Sequence, residues 1–237
     1  RISKGGMTMR YVIEKQLKKV EKQEQKYLKL TKKNILQQKT ESMTNKIEQK
    51  IPENLKTMLE DAFYKGFLIV FEKATAVIEK TYDKESFEKD FKIKDYAIDL
   101  KGGKREIKNM KRDAAMGNTL NMAFSTAEGI ILGALGIGLP DIVIWVVVLL
   151  RGVYETALKY GFDYESPVEK MFILMMLETS MSTGINWSEL NTKVDDFIEQ
   201  ETIVNPTEEE IRRQIQSTSN TFATDMLVMK FIQGLPV

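Results

Sequence analysis

An all-α fold is what this sequence predicts, and three observations predict it. Only 5 prolines and 14 glycines punctuate 237 residues, so the elements are long. Apolar residues recur at three- and four-residue spacing along most of the chain. No segment alternates apolar and polar residues over the length of a strand. The expected architecture is a helical bundle, with a basic helical arm over residues 1–50 and an all-helical domain over residues 51–237.

Residues 7–50 read as one long charged helix. Ile13, Leu17, Val20, Tyr27, Leu28 and Ile35 keep roughly to one face, interrupted by Glu24, and the other face is mostly lysine, glutamine and glutamate. The stripe is too broken for a coiled coil. Such an arm lies on the body, pairs with another chain or rests on a membrane surface. Ile51-Pro52-Glu53 marks a fresh start, because proline suits a first helical turn. The helix that follows, to about Tyr82, carries Phe63, Phe67, Phe71, Ala74 and Ile78 into a core. Residues 83–103 mix charge with scattered aromatics and read as a turn, a short helix and a loop ending at Gly102-Gly103.

From about Lys104 a helix resumes, loses polarity through Ala114, Ala115, Leu120, Ala123 and Ala127, and breaks at Gly138-Leu139-Pro140. Pro140 opens the next helix, which runs to Tyr160 and is stopped by Gly161. Ser166-Pro167-Val168-Glu169 is a capping box with proline at the first position, and it opens another apolar helix. Ser188 or Asn186 caps a short helix through Phe197. Asn205-Pro206 starts the last helix, which carries Ile211, Ile215, Phe222, Met226, Met229 and Ile232.

The net charge of +1 hides an asymmetry: residues 1–50 hold 14 lysines and arginines against 5 acids, so the remaining residues are mildly acidic. A basic arm on an acidic body points to an anionic membrane surface, nucleic acid or an acidic partner. Nucleic acid is disfavoured, since the arm has few aromatics to stack bases and no recognisable motif. There is no histidine and no cysteine. That excludes Ser-His-Asp and Cys-His catalysis, zinc fingers, iron–sulfur clusters and disulfides. No cofactor and no metal is expected, and any chemistry would fall to carboxylates, Lys, Tyr, Ser, Thr or Arg.

The run GALGIGLPD is not a phosphate loop. It lacks the lysine and the preceding strand that such loops need, and Gly133, Gly136 and Gly138 have the wrong spacing for a dinucleotide fingerprint. Residues 129–150 are long enough to span a bilayer, but Pro140 and Asp141 fall near the centre, where an acid costs about 2.5–3.5 kcal/mol. A helical hairpin, buried or membrane-inserting, fits better than a single span. Ser125, Gly129 and Gly133 recur every four positions and allow close helix approach. With Gly136, Gly138 and the adaptable side chains of Met171, Met175, Met226 and Met229, they form a candidate apolar groove for an acyl chain or a partner helix.

Three stretches, TAEGIILGALGIGLPDI, YETALKYGFDYES and the terminal KFIQGLPV, resemble the EcsC protein family. The resemblance is most specific over about residues 124–180, weaker over 222–237, and leaves the basic arm uncovered. The family is named for a gene beside those of an ABC transporter, so the resemblance implies a connection with membrane transport or export and a membrane-protein partner. It supplies no catalytic residues. The family pattern continues past a second GLP, so the chain is expected to be truncated at Gly234-Leu235-Pro236-Val237.

Glu128, Asp141, Arg151, Glu155 and Glu178 make a candidate polar cluster. Asp141 caps a helix, Arg151 and Glu155 stand one turn apart and pair, and Glu128 and Glu178 interrupt apolar helices and need partners. Convergence of Glu128, Asp141 and Glu155 would suit a divalent cation and a carboxylate-dependent hydrolase. The leading expectation is instead a non-enzymatic, cytoplasmic, peripherally membrane-associated protein that binds lipid or a partner, with the arm on anionic lipid.

Overall fold

The computed structural model describes residues 4–33, 47–101, 104–116, 140–182, 184–199 and 205–233. Among these residues there are helices and short connections and no strand. The long helix α1 is Lys4–Lys33. Helix α2 is Glu53–Ile69, and it runs through a π-turn, Val70–Ala74, into a last α-turn, Thr75–Glu79. Helices α3 (Lys84–Lys101) and α4 (Lys104–Met116) follow. Then come α5 (Pro140–Lys159), α6 (Pro167–Met181), α7 (Gly184–Glu199) and α8 (Glu208–Gln233).

Helix α2 packs on α5 at one side and on α8 at the other, and α8 packs in turn on α6. Helices α5 and α6 are consecutive, and a short connection ordinarily lays such helices side by side. Here, among the described residues, they make little close backbone approach. The four helices therefore stand in the order α5, α2, α8, α6 with one seam, between α6 and α5, left open. Helix α3 packs outside α5, α7 packs outside α6, and α1 lies against α3 and α7.

The core inside the four helices follows from apolar periodicity. On α5, Val143, Val146, Val147, Leu150, Tyr154 and Leu158 are buried and share one stripe. They meet Phe63, Phe67, Val70 and Ile78 of the α2 region, Ile173, Leu174 and Leu177 of α6, and Ile215, Phe222 and Ala223 of α8. Each large side chain so buried contributes roughly 1.5–3 kcal/mol. Among the described residues no helix is long and apolar enough to cross a membrane.

The helix ends are set by local chemistry. Ser166 accepts the Glu169 N–H at 3.2 Å, with Pro167 opening α6, but the Ser166 N–H goes to Asp163 O at 3.1 Å instead of to the Glu169 carboxylate, so half of the expected capping box forms. Helix α8 starts at Glu208 rather than at Asn205-Pro206. The Thr207 hydroxyl caps the Glu210 N–H at 3.2 Å, and the Glu210 carboxylate takes the Thr207 N–H at 2.8 Å. Helix α7 begins at Gly184, so Asn186 and Ser188 lie within it instead of capping it. Residues 83–103, expected to be a turn, a short helix and a loop, contain the 18-residue helix α3. The pairs Lys89–Glu85 at 2.7 Å and Lys94–Asp90 at 2.5 Å, each one turn apart, support it. Residues 34–46 of the arm and the first half of the expected hairpin, residues 117–139, lie outside the described residues.

The corner between α5 and α6 is a Schellman motif. The Phe162 N–H reaches Ala157 O at 3.0 Å and the Gly161 N–H reaches Leu158 O at 3.1 Å. Gly161 has φ +79°, and a Cβ there would lie 2.3 Å from the Phe91 ring. Gly161→Ala is expected to lower unfolding free energy by about 1–2 kcal/mol through the left-handed backbone alone, with displacement of Phe91 adding to it. Urea denaturation followed by circular dichroism measures the loss, and an unchanged midpoint would refute it.

Candidate functional site

The open seam between α5 and α6 is a trough of about 620 Å³. Trp145, Leu149 and Val153 form its α5 wall, and Phe172, Ile173 and Met176 its α6 wall. The two hydroxyls in the walls are turned inward to their own helices: Thr156 Oγ1 donates to Gly152 O at 2.8 Å, and Ser180 Oγ donates to Leu177 O at 2.7 Å. The walls thus present methyls and rings. At one end stand Tyr160, Phe162 and Glu169. Burial, and then the charge of Asp163, push the Glu169 carboxyl above the usual glutamate value. Size and lining are those of a small-molecule site, largely apolar with a polar end formed by Glu169 and the Tyr160 phenol.

A second cavity, of about 580 Å³, lies by α2, α8 and the α6–α7 turn and is of opposite character. Glu60, Glu189 and Asp225 share it with Asn186, Asn220 and Thr224. Burial raises the Asp225 pKa.

The α5–α6 corner also carries a polar network. Tyr154 and Tyr164 stack face to face at 4.2 Å and 8°. The Tyr164 hydroxyl donates to Glu79 Oε1 at 2.5 Å and meets the Tyr82 hydroxyl at 2.8 Å. Lys84 bridges Glu79 at 2.8 Å and Glu165 at 2.7 Å, with its ammonium 4.9 Å from the Tyr164 ring centre. Burial would raise the Glu79 pKa, but hydrogen bonds from Lys84 and Tyr164 and the Lys84 charge outweigh it and hold the group below its usual value. Burial pushes the Tyr82 phenol up to about 12, and it raises Tyr154 and Tyr164 as well. The Tyr154 hydroxyl is buried without a hydrogen bond of ordinary geometry.

Of the residues singled out from sequence, Arg151 and Glu155 come together. They form a buried ion pair at 2.7 Å, and Arg151 Nε also donates to Thr81 Oγ1 at 2.9 Å. Glu178 is buried elsewhere. It accepts the Gln214 amide at 2.5 Å and the Ser217 hydroxyl at 2.7 Å, with Thr221 Oγ1 at 3.4 Å. Glu128, Ser125, Gly129, Gly133, Gly136 and Gly138 lie outside the described residues, and Asp141 is described only as part of the α5 backbone. Met171 and Met226 sit in or against the core, and Met175 lines a small cavity beside Glu178. Met229 is described only as backbone of α8. Among the described residues no group of three or more acids is placed to hold a metal ion. The trough and the network rest on residues that sequence reasoning passed over as site residues: Trp145, Glu79, Tyr82, Lys84, Tyr154 and Tyr164. Their one visible signal was the run YETALKYGFDYES, which supplies the corner.

These features define a class: an all-α protein with a split bundle, an apolar trough at the split and a tyrosine-rich corner that holds it. The chain belongs to the EcsC protein family, whose family model matches residues 14–237. The match reaches well into the basic arm, which the sequence resemblance had left uncovered. No curated protein and no solved structure matches the chain.

Removing one partner of a buried ion pair strands the other. Glu155→Ala is expected to cost about 3–5 kcal/mol in a denaturant titration. Arg151→Met combined with Glu155→Leu is expected to recover most of that loss, and a double variant as unstable as the single one would contradict it. The Glu79 pKa is depressed by folding, so its stabilisation is complete above the usual value of 4.5 and is lost as pH falls through the lower, folded value. Glu79→Gln is therefore expected to flatten the stability–pH curve below pH 4.5, and parallel curves for the two proteins would exclude the effect.

Proposed function

We propose that this EcsC-family chain is a non-enzymatic, lipid-binding protein that sits peripherally on an anionic membrane surface. One observation carries the reading. Ile13, Leu17 and Val20 share one face of α1, and at 44%, 57% and 47% exposure they are not buried by the body. Lys15, Lys18, Lys19, Lys22 and Lys26 cover the opposite face. An exposed apolar stripe backed by lysines is the pattern of a helix that lies in a membrane interface. The neighbouring α3 leaves Ile93, Tyr96 and Leu100 exposed at the same helical spacing. The α5–α6 trough supplies an apolar site of ligand size on the same molecule.

The carboxylates support this over a hydrolase. Glu155 is engaged by Arg151 and Glu178 by three neutral donors, so neither stands ready to activate water. The transport association in the family's name agrees with work at a membrane, where a membrane-protein partner would also be met. The expected site of action is the cytoplasmic leaflet, which carries the anionic lipid.

Co-sedimentation of the full chain with anionic vesicles tests the reading. Binding is expected to weaken with salt and to be weaker on neutral vesicles. Replacing Lys15, Lys18, Lys19 and Lys22 by glutamine is expected to cost about 1 kcal/mol each, about fivefold in affinity per lysine. Leu17→Asp is expected to reduce binding at any salt concentration. Equal binding to neutral and anionic vesicles, or none to either, would overturn the proposal.

A further inference from the structure

We propose that the α5–α6 trough holds a single-chain amphiphile with a hydroxyl-bearing, non-anionic head, its tail reaching toward Trp145 and its head at Glu169. This rests on the lipid-binding reading and narrows it to a ligand class.

The shape of the trough argues for one chain. Its long wall runs along α5 from Trp145 to the helix end at Lys159, 15 residues of helix, and spans about 22 Å. The Trp145 end is apolar apart from Ser180, whose hydroxyl goes to Leu177 O, and the indole packs edge-on against Phe222 at 5.2 Å and Phe63 at 5.7 Å. The middle is floored by Gly152. Glycine is the poorest helix former after proline, so its place in mid-helix needs a reason. At Gly66 that reason is the partner helix, since a Cβ would touch Ile142 at 3.4 Å. At Gly152 a Cβ would meet nothing within 4 Å. The glycine leaves a slot that the described protein does not fill, beside Thr156 and Ser180, whose hydroxyls are committed to backbone carbonyls.

The head group is set by charge. Glu169 stands at the closed end of α5 and feels the negative charge of Asp163. Among the described residues no cation lines the trough. Lys159, near that end in sequence, is turned to the Phe87 ring, 5.1 Å away. A fatty-acid anion would bring a third negative charge to this end. A glycerol or alcohol head brings hydroxyls that Glu169 can accept.

The test uses the tryptophans. The full chain contains two, Trp145 and Trp187, so Trp187→Phe leaves Trp145 as the sole reporter in the trough. This variant is titrated with monooleoylglycerol and, separately, with oleate at neutral pH, each below its aggregation concentration. The expected result is a saturable fluorescence change at one monooleoylglycerol per chain, with oleate at least tenfold weaker. Gly152→Leu is expected to abolish the change while keeping its helix content and its urea midpoint, because leucine is the better helix former. Oleate binding as tightly as monooleoylglycerol would overturn the head-group assignment. Absence of any change at Trp145, with vesicle binding through α1 intact, would overturn the trough proposal and leave the membrane-surface reading standing. Saturable monooleoylglycerol binding by a chain that ignores vesicles would do the reverse. A photo-crosslinker at position 152 that joins residues 117–139 of the same chain, with and without amphiphile, would show the slot filled by the protein itself and end the proposal.

Discussion

The stack of Tyr154 on Tyr164 governs the direction in which α6 leaves α5. Tyr154 is the fourth turn of α5 and wholly buried, and Tyr164 is on the chain just before the next helix. Stacking them at 8° allows the chain one course around Gly161. Tyr164 is then clamped from the other side by Glu79 and Tyr82, at the end of the α2 region and just beyond it. The corner is thereby fastened to α2, the helix on which α5 and α8 both pack. Beyond this corner α5 and α6 make little close backbone approach, and the trough is the space between them. Tyr154 and Tyr164 do not line that trough; they sit in the corner that closes the α5–α6 connection.

Polar interactions in this protein are spent mainly on such fastening. Arg151 and Glu155 carry charge into the same region, and Thr81 ties the guanidinium to the connection that leads to α3. Lys84 then joins the start of α3 to Glu79 and Glu165. Two stretches distant in sequence, residues 79–84 and 151–165, meet in one web of ion pairs and hydrogen bonds. Within this web the Arg151–Glu155 pair is the buried one, and breaking it leaves a buried charge without its partner.

Much of this could be read from the residues. Helix α5 announces itself by Pro140, by its apolar stripe and by Gly161, and α6 by the Ser166–Glu169 box, because these signals are local. Helix α3 did not. Its apolar residues are outnumbered by charge, and it depends on lysine–acid pairs one turn apart and on docking to α5, neither of which gives a clear stripe. The trough was illegible for a different reason. Gly-xxx-Gly spacing drew attention to residues 125–138, whereas Gly152 stands alone among large side chains and gains meaning only from the emptiness beside it. The tyrosine network was half visible: Tyr154, Tyr164 and Glu165 share one short run, but Glu79, Tyr82 and Lys84 come from some 80 residues earlier.

The π-turn at Val70–Ala74 acts as a register shift. A π-turn takes up one residue more than an α-turn in the same advance, so everything after it is rotated by about 100° relative to an unbroken helix. Counted from Phe63 at 100° per residue, an uninterrupted helix would place Glu79 about 160° away, on the side turned from the core. With one residue absorbed, Glu79 comes to about 60° and Ile78 to the other flank of the buried stripe. That rotation is what brings a carboxylate round to Tyr164 and Lys84 while Ile78 stays buried. Two halves of one helix thus follow different phases, the first matched to Phe222 and Trp145 and the second to the tyrosine corner, and a single extra residue reconciles them.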